Sequence, residues 1–137
     1  MRCALFPFSN MCYNRHMQEL DDVLAALRTI RAPRTISEYD LHALVTEALS
    51  AQGLAFQHEA PVAPRRRIDV LCGVIGVEIK RGRPTPTPLM RQLEAYARSE
   101  RIKALVLVAE RPPRLPQTVC GKPLASVSLQ RLWGIAL

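Results

Sequence analysis

Three charged side chains interrupt two short apolar runs near the middle of this 137-residue chain: Asp69 within Ile68-Asp69-Val70, and Glu78 and Lys80 within Val77-Glu78-Ile79-Lys80. Successive strand residues point to opposite faces, so Glu78 and Lys80 share one face while Val77 and Ile79 turn to the other. The connection from Gly73 to Gly76 is short enough to fold the two runs into a hairpin. A hairpin brings two carboxylates and one ammonium onto one surface, which is the minimal equipment for holding a divalent cation beside a scissile phosphate.

Two flanking segments of helical pattern add candidates. At about 100° per residue, Glu38 projects within about 20° of Val45, on the apolar side of its helix, whereas Glu47 falls roughly opposite and is solvated. A carboxylate turned toward the core in a first helical turn either complements the helix dipole or serves the site. His42 lies one turn on, on nearly the same side, and is read as a boundary histidine that can support the site. In a later segment Leu89, Leu93, Tyr96 and Ala97 form an apolar stripe, and Gln92 sits inside it. A buried amide left without partners costs about 1 to 3 kcal/mol, so Gln92 must bond something, and Tyr96 stands one turn away.

The elements that carry these residues can be traced along the chain. Residues 1–16 show no periodicity and are expected to form a poorly structured leader, with Met17 as an alternative translation start. Leu20, Val23, Leu24, Leu27 and Ile30 recur at helical spacing from Met17 to Ile30. A second helix is expected from about Ser37 to Gln52, with Ser37 as N-cap and Gly53 as the stop. Three strands follow at 54–60, 66–72 and 74–80, then a basic, Pro-rich loop from Arg81 to Pro88. Thr87 is expected to cap a third helix that has Pro88 at its first position and runs to about Ser99. The apolar run from Lys103 to Ala109 reads as a strand buried on both faces, and residues 124–129 alternate weakly as a last strand. The resulting order is α-α-β-β-β-α-β-β.

The ordered set Asp69, Glu78-x-Lys80 and Gln92-x-x-x-Tyr96 resembles the signature of the PD-(D/E)XK nuclease superfamily, in the Gln-x-x-x-Tyr branch of recombination exonucleases, with Holliday-junction resolvases among its small members. The likeness spans Ser37 to Ala109 and includes an acidic residue, Glu38, on the preceding helix. One departure is Ile68, where the motif name has proline. The resemblance implies a restriction-endonuclease-like α/β core, with a mixed central sheet flanked by helices, over residues 17–137. It implies a deoxyribonuclease in which Asp69, Glu78, the Ile79 backbone carbonyl and Glu38 hold Mg²⁺, with Mn²⁺ as a substitute. Lys80 would orient or deprotonate the attacking water, and Gln92 would position Lys80 or the phosphate. Arg65, Arg66, Arg67, Arg81, Arg83 and Tyr96 would contact the nucleic-acid backbone. A non-catalytic nucleic-acid-binding module on the same fold is the alternative.

Composition agrees with a polyanionic partner. Net charge is +7, which favours nucleic acid first and an anionic membrane surface second. The four cysteines, Cys3, Cys12, Cys72 and Cys120, form no C-x-x-C pair and read as reduced thiols. The apolar run from Cys3 to Phe8 is too short for a signal peptide or a membrane span. A cytoplasmic protein without a membrane partner is therefore expected, and symmetric cleavage of two strands would suit a homodimer.

Overall fold

The computed structural model describes residues 2–32 and 37–132, and the side chains of all of these except residues 2–13 and Glu38. Helix α1 (Arg2–Leu27) and helix α2 (Glu38–Ala51) come first. The segment expected as a leader is helical from Arg2. Met17 packs against the buried cluster to which Leu20, Val23 and Leu24 belong. Ser37 caps α2 as expected, its Oγ accepting from Asp40 N at 3.1 Å. At the other end Gly53, at φ 73°, closes a Schellman motif, with Gly53 N bonded to Ser50 O and Leu54 N bonded to Leu49 O.

Strands β1 (Gln57–Ala63), β2 (Arg66–Cys72) and β3 (Ile75–Lys80) follow, then α3 (Pro86–Ala97), β4 (Ala104–Ala109), β5 (Thr118–Val119), β6 (Lys122–Ser128) and the single turn α4 (Leu129–Leu132). The strands form one mixed sheet in the order β1-β2-β3-β4-β6-β5. The β3–β4 and β4–β6 pairs are parallel, and the others are antiparallel. The β2–β3 turn holds only Gly73 and Val74; Gly76, expected in the connection, is a buried strand residue. A Cβ there would lie 2.5 Å from Ile68 Cδ1 and 2.9 Å from Leu105 Cδ2, so the strand needs glycine for packing.

Two hydrophobic layers sandwich the sheet. On one face Leu20, Val23 and Leu27 of α1 and Leu41, Val45 and Leu49 of α2 cover Val70, Val77, Ile79, Val106 and Val108. On the other, Leu89, Leu93, Tyr96 and Ala97 of α3 cover Ile68, Leu71, Leu105 and Leu107. All six residues of β4 are buried, as its unbroken apolar run requires. The mixed α/β architecture matches the expectation, with β5 and α4 added. Helix α3 starts two residues early, at the first of two Thr-Pro pairs. Thr85 and not Thr87 occupies the cap, and it makes no side-chain capping bond. Strand β1 is displaced by three residues from the expected 54–60, because Leu54 and Phe56 pack on the core from a loop. Among the described residues no helix is long and apolar enough to cross a membrane.

Candidate functional site

Strands β2 and β3 part company at the charged residues. Their ladder runs through Cys72–Ile75, Leu71–Gly76 and Val70–Val77, so Asp69 and Glu78 come next, opposite each other. Here side chains replace backbone partners. Ile79 N donates to Asp69 Oδ2 at 2.8 Å, and Asp69 N donates to Glu78 Oε1 at 3.4 Å. One step further, the Arg67 carbonyl accepts from the Tyr96 hydroxyl at 3.0 Å. The wedge between the strands is therefore stitched by the residues that the sequence marks as chemical. Buried backbone groups demand such partners.

The opening coincides with a kink in the neighbouring strand. Glu59 falls between the pairs His58–Val70 and Ala60–Ile68, hence opposite Asp69, and it adopts φ 51°. Side-chain alternation breaks on both strands at this level. Ile68 and Leu71, three residues apart, both face α3, while Val70 faces α1 and α2. On β1, Ala60 and Val62 face α3, yet His58 reaches His42 on α2, with His42 Nδ1 3.3 Å from His58 Nε2. A left-handed residue that is not glycine is strained, and such strain clusters at functional positions.

Glu78 lies at the centre of the wedge, only 2% exposed. Lys80 Nζ stands 3.3 Å from its Oε2, as the shared strand face requires. The Tyr96 hydroxyl is 3.4 Å from the same oxygen. Burial, and then the adjacent Asp69 carboxyl, push the Glu78 carboxyl up to about 8, with the Lys80 ammonium opposing the rise. In the absence of a cation the protonated form of Glu78 is therefore favoured. Burial, followed by the Glu78 carboxyl, also raises the Tyr96 phenol, which keeps it a hydrogen-bond donor. Gln92 Nε2 donates to the Tyr96 oxygen at 2.9 Å, so the amide holds Tyr96 and not Lys80.

The remaining expected residues are distributed around this centre. Arg65, Arg66 and Arg67 are exposed at the β1–β2 turn, with Arg67 Nη1 bonded to the Glu59 carbonyl. Arg81 and Arg83 are exposed on the loop after β3, which is pinned where Gly82 N donates to Glu110 Oε1 at 2.9 Å. His42 pairs with His58 instead of joining the carboxylates. The Glu38 side chain lies outside the described residues. Among the described residues no group of three or more His, Cys, Asp or Glu converges. The two carboxyl groups that do converge, Asp69 and Glu78, are oxygen donors of the kind that could hold a hard cation. His58 and the exposed Tyr39 carried no signal, because their relation to His42 depends on where β1 lies beside α2. No protein-family model, curated protein or solved structure matches the chain.

Proposed function

We propose that this chain is a divalent-metal-dependent deoxyribonuclease with a restriction-endonuclease-like core of the PD-(D/E)XK type, acting on branched or recombination and repair intermediates. The observation that carries the reading is the convergence of Asp69, Glu78 and Lys80 at the parting of β2 and β3, where burial and Asp69 disfavour the Glu78 anion. A Mg²⁺ ion, replaceable by Mn²⁺, would be held by Asp69, Glu78 and the Ile79 carbonyl with Glu38 as a further ligand, and it would supply Lewis acidity toward the phosphate. Lys80 orients the attacking water and offsets negative charge as it develops on the phosphate oxygens. Gln92 and Tyr96 hold Glu78 and the Arg67 carbonyl in place, so they position the acid rather than touch the reacting atoms. Arg65, Arg66, Arg67, Arg81 and Arg83 take up backbone phosphates on either side, which fixes the DNA without reading its sequence. A homodimer would offer one site to each strand, and the +7 chain would work on DNA in the cytoplasm.

The test is a cleavage panel of linear duplex, single-stranded and branched DNA with Mg²⁺ or Mn²⁺. Asp69→Asn is preferred to Asp69→Ala because the amide oxygen keeps the bond from Ile79 N while losing the charge. Asp69→Asn and Lys80→Ala should each abolish cleavage with the fold intact by circular dichroism. Undiminished cleavage in either variant, or in excess EDTA, would overturn the mechanism. A wild-type chain that binds DNA and cuts none of the panel would select the non-catalytic binding module.

A further inference from the structure

A second feature among the described residues lies outside the carboxylate wedge, a cavity on the α2 side of β1. It holds about 540 Å³ between α2 and β1 and is lined by Tyr39, His42, Ala43, Thr46, His58 and Glu59. A volume in this range suits a nucleoside-sized group. Three of the six lining side chains carry flat rings, namely Tyr39, His42 and His58, and His42 and His58 are two of the three histidines in the chain. Tyr39 is 83% exposed, the one large hydrophobic side chain so exposed among the described residues. It sits in the first turn of α2, whose buried side carries Leu41 and Val45, so packing does not account for it. The His42 and His58 rings meet edge to face, with centroids 5.5 Å apart.

The cavity adjoins the proposed site through one residue. Glu59 is part of its wall and stands opposite Asp69 across the β1–β2 pairing. Both features meet at the kink at Glu59: Asp69 stands opposite it across the pairing, and His58 just before it approaches His42 on α2. Arg67 Nη1 bonds the Glu59 carbonyl, which brings a guanidinium to the residue that forms part of the cavity wall. The cavity and Asp69 thus meet at one level of the β1–β2 pairing, with an arginine beside them.

We propose that the Tyr39–His42–His58 cavity is a stacking pocket for an unpaired nucleobase, so that the substrate carries a single-stranded nucleotide next to the scissile phosphate, as in a flap, a frayed end or a single strand. The proposal rests on the nuclease reading for its choice of nucleic acid as ligand. Stacking on an aromatic ring is sequence-tolerant, since every base has a π-face. The Glu59 carboxylate and the imidazole nitrogens at the wall can accept from or donate to base edges, as they do for splayed-out bases. A continuous blunt duplex keeps its bases stacked on one another and offers nothing to the pocket.

The experiment measures binding in EDTA, where no strand is cut. A short single-stranded DNA carrying 2-aminopurine is titrated with wild-type chain, and the fluorescence of the base is followed. The expected result is quenching on binding, a loss of affinity of about tenfold in Tyr39→Ala, recovery in Tyr39→Trp, and no change in affinity for a blunt duplex. Tyr39 is exposed, so the alanine variant folds, and its melting temperature verifies this. Equal affinity and equal quenching in wild type and Tyr39→Ala would overturn the pocket. The two readings fail separately. A chain that stacks 2-aminopurine through Tyr39 but cuts nothing refutes the nuclease and keeps the pocket. A chain that cuts DNA and binds single strands with no dependence on Tyr39 does the reverse.

Discussion

Replacing Glu78 with Gln exchanges a carboxyl that holds its proton for a neutral isostere of nearly the same shape, and the consequence is read most directly in the stability of the metal-free chain. In the folded state the Glu78 carboxyl keeps its proton to about 8, against an ordinary value of 4.5, because burial and Asp69 both disfavour the anion. Between those values the folded chain binds a proton that the unfolded chain has released. The stabilisation is therefore fully present below the ordinary glutamate value and is lost as pH rises toward 8. One proton corresponds to a slope of at most about 1.4 kcal/mol per pH unit, or roughly 4 °C in melting temperature for a domain of this size. In Glu78→Gln the slope due to this carboxyl disappears. The quantity to follow is the difference in melting temperature between wild type and Glu78→Gln, measured in EDTA from about pH 5 to about pH 8. It should move by roughly 10 °C in favour of the variant as pH rises. Saturating Mn²⁺ should remove the trend in the wild type, since cation binding expels the proton in the folded state. A difference that stays constant across the range would refute the raised Glu78 carboxyl and, with it, the account of two crowded carboxyl groups at the wedge.

Three further substitutions probe how the wedge is built. Tyr96→Phe leaves the Arg67 carbonyl and the Gln92 amide without the hydroxyl that now serves both, and urea unfolding should register a loss of about 1 to 3 kcal/mol. Gly76→Ala drives a methyl into Ile68, Leu105 and Ile102, and the resulting overpacking should cost about 1 to 3 kcal/mol in the same assay. Glu59→Gly should be neutral or stabilising by about 1 kcal/mol, because glycine adopts φ 51° without the steric penalty that a glutamate meets there. Destabilisation by Glu59→Gly would mean that its side chain, and not the backbone turn, holds the kink.

The residues at the wedge were legible because each breaks a simple pattern. Asp69 and Glu78 interrupt apolar strands, and Gln92 interrupts a helical stripe whose other members, Leu89, Leu93, Tyr96 and Ala97, are all buried as expected. The Ser37 cap and the Gly53 stop were legible for a similar reason, since each satisfies a local backbone need. The start of α3 was ambiguous at its source, because Thr85-Pro86 and Thr87-Pro88 present the same signal twice. Strand β1 carried no clean alternation: it is an edge strand with a proline and a kink, while the apolar Leu54 and Phe56 just ahead of it mimic a strand. The kink itself was invisible, as a glutamate gives no hint of left-handed backbone. Everything that follows from it was hidden too, including the turn of His58 toward His42, the cavity beside Tyr39, and the role of Asp69 as a substitute partner for Ile79 N.

The contact between Arg101 and β1 bears on how copies of this chain meet. Strand β1 ends the sheet, and the guanidinium of Arg101 is bonded to the Pro61 carbonyl and, at 3.2 Å, to Gln57 Oε1. Pro61 has no N–H to offer an incoming strand, and its carbonyl is already engaged. Propagation of the sheet from chain to chain is thus checked along this border by one proline and one arginine, the kind of guard that keeps edge strands from templating aggregates. Strand addition at β1 is the one mode of self-association that this edge resists.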